Sequence, residues 1–353
     1  MKVGITSFRL PAMTKKWVIF VICALILPQL FFLVYICTSN IILDQKTTMK
    51  IISQRTQKIA VQKTTDCQNV TTPLHTLYHK IENPFFCFSR SSARVRTGNY
   101  LLPYGIYKAE RYFEAVANRL PKSCTFPESL SSLACKNCIV VGNGGILRNS
   151  TLGKFIDSYD VIIRLNSGPV KGYEEDVGKK TTFRICYPES IFSDPSEYDP
   201  DTIVILNIFK VHDLRWLMEV VQHKKVTING FWQTPAQKLI YKENQVRILN
   251  PFFIKEAASD FLHLQLPTRY LKTLKPKHPT TGVIGIAMAL HICDTVAIAG
   301  FKYNTSDSTS FVHYYGNITM SSTSQMEYHD IPAEQAFLKD LKEKKLVHDL
   351  TEK

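Results

Sequence analysis

The stretch Cys138-Ile139-Val140-Val141-Gly142-Asn143-Gly144-Gly145 (CIVVGNGG) decides how the chain is read. Its first four residues are apolar and suit a short buried strand, which the glycines break into a turn. At such a turn the backbone can come close to a phosphate or a ribose. A GxGxxG dinucleotide fingerprint starting at Gly142 would need glycine at position 147, where Leu147 stands, so a nicotinamide enzyme is disfavoured. Taken alone, the turn can also be no more than a tight strand-to-helix connection.

Working outward, similar apolar runs occupy residues 161–164, 181–185, 202–208, 246–249 and 296–299. Helical patterns fall at 107–120, 213–222, 252–264, 281–293 and 333–346. Short apolar strands alternating with helices predict an α/β fold, Rossmann-like, with a mostly parallel central sheet covered by helices on both faces. About 220 residues in this pattern are enough for one core.

Residues 17–37 (WVIFVICALILPQLFFLVYIC) carry no charge, and 21 residues at about 1.5 Å each span a bilayer core. Lys2, Arg9, Lys15 and Lys16 precede them with no acid. The positive-inside rule then leaves a cytoplasmic tail at 1–16 and puts everything after residue 37 in a lumen. The expected layout is a single-pass signal-anchor at 17–37, a polar stem at 38–65 and a lumenal domain at 66–353. A cleaved signal peptide is the rival reading, although no Ala-x-Ala site follows.

Four sequons suit a lumenal chain: Asn69, Asn149, Asn304 and Asn317. Of nine cysteines, Cys23 and Cys37 fall in the anchor. The other seven can form disulfides there, and an odd number leaves a thiol over. Cys186, inside an apolar run, is the choice for a buried free thiol. Cys135-Lys-Asn-Cys138 has no second pair at zinc-finger spacing, so it reads as disulfide chemistry. The net charge is +13, or +9 without the tail. A basic lumenal domain suits an anionic ligand such as a nucleotide or acidic sugar. The compartment argues against nucleic acid, and no basic-aromatic strip appears.

Asp199-Pro-Asp201 has the letters of a metal-clamping DxD, but it precedes its strand and Pro200 makes it turn-like. Glu174-Glu175-Asp176 reads as a solvated loop. His313 lies beside Tyr314 and Tyr315 and could equally be a packed residue. His329 precedes Asp330 and a helix starting near Pro332. At a helix N-terminus its imidazole would stay neutral and could accept a proton. Alternatively, Asp330 only caps the helix and His329 is exposed.

Residues 138–190 resemble the large motif of the animal sialyltransferases. Residues 278–301 (HPTTGVIGIAMALHICDTVAIAGF) resemble the small motif, His313-Tyr314-Tyr315-Gly316 the third, and His329 with Glu334 the very small motif HxxxxE. All four occur in the family's order, and the chain is most similar to the β-galactoside α-2,3 group acting on lactosamine-type glycans. The resemblance implies a GT-A-type variant fold, a Golgi membrane protein of type II, CMP-sialic acid as donor and a galactose-terminated glycan as acceptor. It implies that Asn143 and Asn166 hold the CMP part, that Thr280, Thr281 and Gly282 meet ribose or phosphate, and that Gly300 lets the cytosine approach. Tyr187 and a protonated His313 would bond the phosphate, and His329 would take the proton of the galactose 3-hydroxyl. Cys138 and Cys293 would be bridged. Cys135 would pair with Cys67, Cys87 or Cys124.

A donor with one phosphate has no diphosphate charge for a metal, so no metal and no cofactor are expected. The reaction would be one inverting displacement without a protein nucleophile. A homodimer is left open. The alternatives are a ganglioside-type enzyme acting on lactosylceramide, and a lumenal glycan-binding protein without catalysis.

Overall fold

A computed structural model of the chain describes residues 84–87, 100–120, 126–267, 277–302, 307–322 and 328–352. The chain divides into two compact units, Met1–Lys63 and Thr64–Lys353; the fold below is that of the second. The expected anchor and stem, Cys67, Cys124, Asn69 and Asn304 lie outside the described residues. Among the described residues no helix is long and apolar enough to cross a membrane.

The centre is a seven-stranded sheet in the order β5-β4-β3-β2-β1-β6-β7. The strands are β1 (Asn137–Val141), β2 (Val161–Leu165), β3 (Phe183–Cys186), β4 (Ile203–Leu206), β5 (Val246–Ile248), β6 (Thr295–Ala299) and β7 (His348–Asp349). Every neighbouring pair is parallel. Strands buried on both faces are read as continuous apolar runs, which is why six of them are visible in the sequence. The seventh, β7, has two residues at the sheet's edge and no apolar signature.

Helices cover both faces. In β3 and β4 alternating residues feed two separate cores, as a period of two requires. Cys138, Val140, Ile163, Leu165, Phe183 and Ile185 face one core with α3 (Pro251–Glu256), α4 (Thr281–Ile292) and α5 (Ile331–Glu343). Val204, Leu206 and Cys186 face the other with α1 (Glu110–Ala117) and α2 (Val211–Val221). α4 is apolar nearly all round and buried at every position, as suits a helix enclosed by its own fold. Each of its fully buried large aliphatic side chains contributes roughly 1.5–3 kcal/mol.

The pattern at 252–264 predicts one regular helix. Instead α3 ends at Glu256 and continues as a wider π-type turn, Ala257–Phe261. Glu256 there meets His291 of α4 at 2.8 Å, with both side chains buried. Cys138 in β1 is bonded to Cys293 after α4. Cys87 and Cys135 are disulfide-bonded as well, and Cys186 is a buried free thiol, with burial pushing it up to about 12.

Candidate functional site at the carboxyl edge of the sheet

The strand order reverses between β1 and β6. In an open α/β sheet, ligands bind outside the carboxyl ends of the strands at that switch point. The glycine turn leaves β1 there, and Gly300 leaves β6 beside it. Gly142 N–H donates to the Ala299 carbonyl at 2.7 Å and Gly144 N–H to the Gly300 carbonyl at 2.9 Å. A Cβ on Gly142 or Gly144 would stand 2.5 Å from the Gly300 oxygen. Gly300 has φ +78°, and a Cβ there would meet Leu147. Backbone packed on backbone already requires glycine at these positions, in keeping with the tight-turn alternative held open in the sequence, and a ligand role for them is a separate matter.

Asn143 reaches from this turn to β2, where its amide donates to the Leu165 carbonyl at 3.2 Å. Asn166 follows β2 in the left-handed region, φ 53°. Its side-chain oxygen accepts from the Ser190 hydroxyl at 3.0 Å, and the Tyr187 N–H donates to the same hydroxyl at 3.0 Å. Ser190 thus links two predicted donor ligands and went unnoticed in the sequence. Tyr187 packs edge-on against Phe209, and burial pushes its phenol up to about 12, so it stays a hydrogen-bond donor at neutral pH.

His313 lies alongside the glycine turn. It bridges Gly144, Tyr314 N–H donates to the Asn143 carbonyl at 2.9 Å, and Gly145 N–H to Val312 at 3.1 Å. Its ring stacks on Tyr315 with centroids 5.1 Å apart. Burial lowers the His313 pKa below the ordinary histidine value.

The remaining residues meet at the start of α4, which runs back from the same edge. Thr280 caps the helix, its hydroxyl accepting from the Val283 N–H. The same hydroxyl donates to Glu334 at 2.8 Å, and the Thr280 N–H donates to the other Glu334 oxygen at 2.7 Å. Thr281 is buried, and Gly282 lies against the Phe301 ring. Burial raises the Glu334 pKa to about 7, against the pull of the two Thr280 bonds. Glu334 is thus a clamp between α4 and α5, a role the motif letters do not reveal.

His329 precedes α5. Asp330 does cap that helix, accepting from the Ala333 N–H. His329 is nonetheless partly buried and fixed: its Nδ1 lies 2.7 Å from the His278 carbonyl oxygen. A carbonyl only accepts, so Nδ1 carries the proton and Nε2 has the free lone pair. Burial lowers the His329 pKa more than this bond raises it. His278, which precedes the cap, donates its own N–H to the Tyr328 carbonyl at 3.1 Å. Its ring meets the Tyr104 hydroxyl at 2.9 Å, and burial, then His329, lowers its pKa. His278 and Tyr104 belong to the same corner and were missed, because their partners lie 51 and 174 residues away.

Other candidates fall elsewhere. Asp199 accepts from Asp201 N–H and from the Thr202 hydroxyl, forming a turn ahead of β4 at the opposite edge of the sheet. Asp176 accepts from Asn149 N–H and Thr151 N–H and so braces the loop after the glycine turn. Asn149 and Asn317 are exposed. Among the described residues no group of three or more His, Cys, Asp or Glu could hold a metal ion.

The sequence profile of glycosyltransferase family 29 (sialyltransferase) matches residues 88–346. Over 272 residues the chain is 54% identical to the type 2 lactosamine alpha-2,3-sialyltransferase of Rattus norvegicus, covering 76% of this chain and 81% of that one. The Homo sapiens protein of the same name is 52% identical over 273 residues, 76% and 82% of the two chains. A CMP-N-acetylneuraminate-beta-1,4-galactoside alpha-2,3-sialyltransferase of Homo sapiens is 40% identical over 263 residues, 74% and 69% of the two. The crystal structure of a mammalian sialyltransferase superposes with a TM-score of 0.59 at 24% identity, covering 81% of this chain and 96% of that one, and so shares the fold. The profile match and the relatives agree with the edge geometry: this chain belongs to glycosyltransferase family 29, the sialyltransferases.

Proposed function

We propose that the chain transfers sialic acid from CMP-sialic acid to the 3-hydroxyl of a terminal galactose on lactosamine-type glycans. The observation that carries the chemistry is the fixed tautomer of His329, whose Nε2 lone pair is free beside the start of α4. In the step, the galactose oxygen bonds to the sialyl carbon as the bond from that carbon to the phosphate oxygen breaks. The electron pair leaves with CMP, and the galactose hydroxyl proton passes to His329 Nε2. General-base help of this kind is worth about 10²–10⁴ in rate.

Tyr187 and His313 meet the phosphate, and His313 takes up a proton as that anion arrives. Asn143, Asn166, Thr280, Thr281, Gly282 and Gly300 form the shelf for the cytidine. Attack from the face opposite the leaving group inverts the configuration. The chemistry asks for neither metal nor cofactor, since charge develops on a single phosphate. The fold is read as a GT-A-type variant, carried on a signal-anchor at 17–37 in the Golgi membrane with the catalytic domain in the lumen. Lactosamine is favoured as acceptor because relatives 52–54% identical over this stretch carry that name.

The test is transfer from CMP-sialic acid to defined acceptors, with and without chelator, with product linkage read by NMR. An α-2,3 product on Galβ1-4GlcNAc that persists in chelator is the expected result. Preference for lactosylceramide would move the reading to ganglioside synthesis. No transfer, with no CMP bound at millimolar concentration, would leave only a glycan-binding protein.

A further inference from the structure

Two arginines sit side by side inside the sheet. Arg164 of β2 and Arg184 of β3 are register partners, exposed by only 2% and 4%. Their hydrogen bonds end on neutral groups. Arg164 donates to the Val177 and Lys180 carbonyls and to the Thr181 hydroxyl, and its Nη1 is buried with no partner. Arg184 donates to the Asn166 carbonyl at 2.7 Å and the Gly168 carbonyl at 3.1 Å, and its guanidinium lies over the Phe192 ring. Arg164 also feels the opposite charges of Asp157 and Asp199. The contacts of Arg184 end on two carbonyls and a ring, and burying a charge without an opposite charge costs several kcal/mol.

Their place suggests the compensation. Arg184 Nη1 holds the carbonyl of Asn166, whose left-handed backbone turns its amide toward Ser190 and Tyr187. Across the same loop, Tyr314 donates to the Pro169 carbonyl. The Arg184 charge also acts on Tyr315, on which His313 stacks. In a poorly solvated interior such a field is weakly screened and reaches the rim above it.

We infer that Arg184 is a positioning residue and the fixed positive charge beneath the donor shelf, attracting the anionic part of a nucleoside monophosphate sugar. It plays the electrostatic part a bound cation would play, without exchanging with solvent. The inference rests on reading this edge as a nucleotide-sugar site.

Charge and geometry separate experimentally. CMP and uncharged cytidine are titrated calorimetrically into the full-length chain, its Arg184→Met and Arg184→Lys variants, at low and high salt. Wild type should prefer CMP. Arg184→Met should lose about tenfold or more of CMP affinity, with cytidine much less affected and a shallower salt dependence. Arg184→Lys keeps the charge while losing the fork geometry, and should keep most of the CMP preference. Equal weakening of CMP and cytidine, or an unchanged ratio, would leave Arg184 a purely structural brace. If Arg184→Met does not fold, a folded Arg184→Lys protein without CMP preference overturns the inference by itself. Wild type that binds neither molecule removes the nucleotide-site reading, and this one with it.

Discussion

The donor shelf at β1–β3 and the junction of α4 with α5 are built from different materials. The shelf is fixed by backbone-to-backbone bonds around Gly142, Gly144 and Gly300 and by the Arg184 guanidinium on the Asn166 carbonyl. The junction is fixed by Glu334, His329 and His278, whose pKa values burial moves toward or below neutrality. In the proposed reaction the shelf would hold the donor anion and the junction would take the hydroxyl proton, which calls for groups that titrate near neutrality.

The largest effect should come from His329→Ala. If the two regions are separable, kcat falls by about 10²–10⁴ while CMP affinity is retained, because the shelf does not depend on that ring. Normal turnover in the folded variant would show that the junction is not where the proton goes. In wild type the acid limb of the kcat/KM profile should lie below the ordinary histidine value of 6.5, because burial disfavours protonation of His329.

Next in size is the link between the two regions. Cys138 opens the strand that leads to the shelf, and Cys293 closes the helix that begins at the junction. The bridge spans 155 residues, and removing a native disulfide costs about 2–5 kcal/mol. A Cys138→Ala/Cys293→Ala protein should melt at lower temperature and lose activity in parallel with folding. Loss of activity at unchanged stability would mean that the bridge tunes the site directly.

The two regions also differed in how far the sequence disclosed them. The shelf is written in local runs: an apolar strand, glycines, then asparagine. Arg184 could have been noticed, since a charge within Phe183–Cys186 breaks an otherwise buried strand, as Arg164 does near the end of Val161–Leu165. The junction is different. His329, Glu334 and Thr280 stood out through resemblance to a family's motifs, yet what fixes them depends on contacts across 51 and 54 residues. His278 opens the stretch that resembles the small motif, but nothing local ties it to His329, and Tyr104 carries no local signal at all. β7 was hidden for another reason, being two residues at an edge. Packing of the glycines on one another was invisible because a glycine needed for close backbone contact looks the same as one needed for a ligand.

Thr280 tests the junction more gently. Thr280→Val deletes the cap on Val283 N–H and the hydroxyl bond to Glu334, leaving the backbone N–H bond in place. Losing an N-cap costs about 0.5–2 kcal/mol. Donor affinity should fall only modestly, and the acid limb assigned to His329 should hold its position. A large shift of that limb would show that the cap and the base are electrostatically one unit.

The smallest effect is the sharpest in sign. Glu334 binds its proton more tightly folded than unfolded, at about 7 against an ordinary 4.5. Its contribution to stability is therefore complete below 4.5 and is lost as pH rises through about 7. His329, His278 and His313 act in the other direction, since burial lowers all three and their stabilisation is lost as pH falls from 6.5. The two trends oppose each other in wild type and should give a shallow profile. Glu334→Gln has no proton to lose, so its melting temperature should fall more steeply than wild type as pH drops from neutral toward 5. Parallel profiles would mean that Glu334 is ionised throughout and that its two Thr280 bonds outweigh its burial.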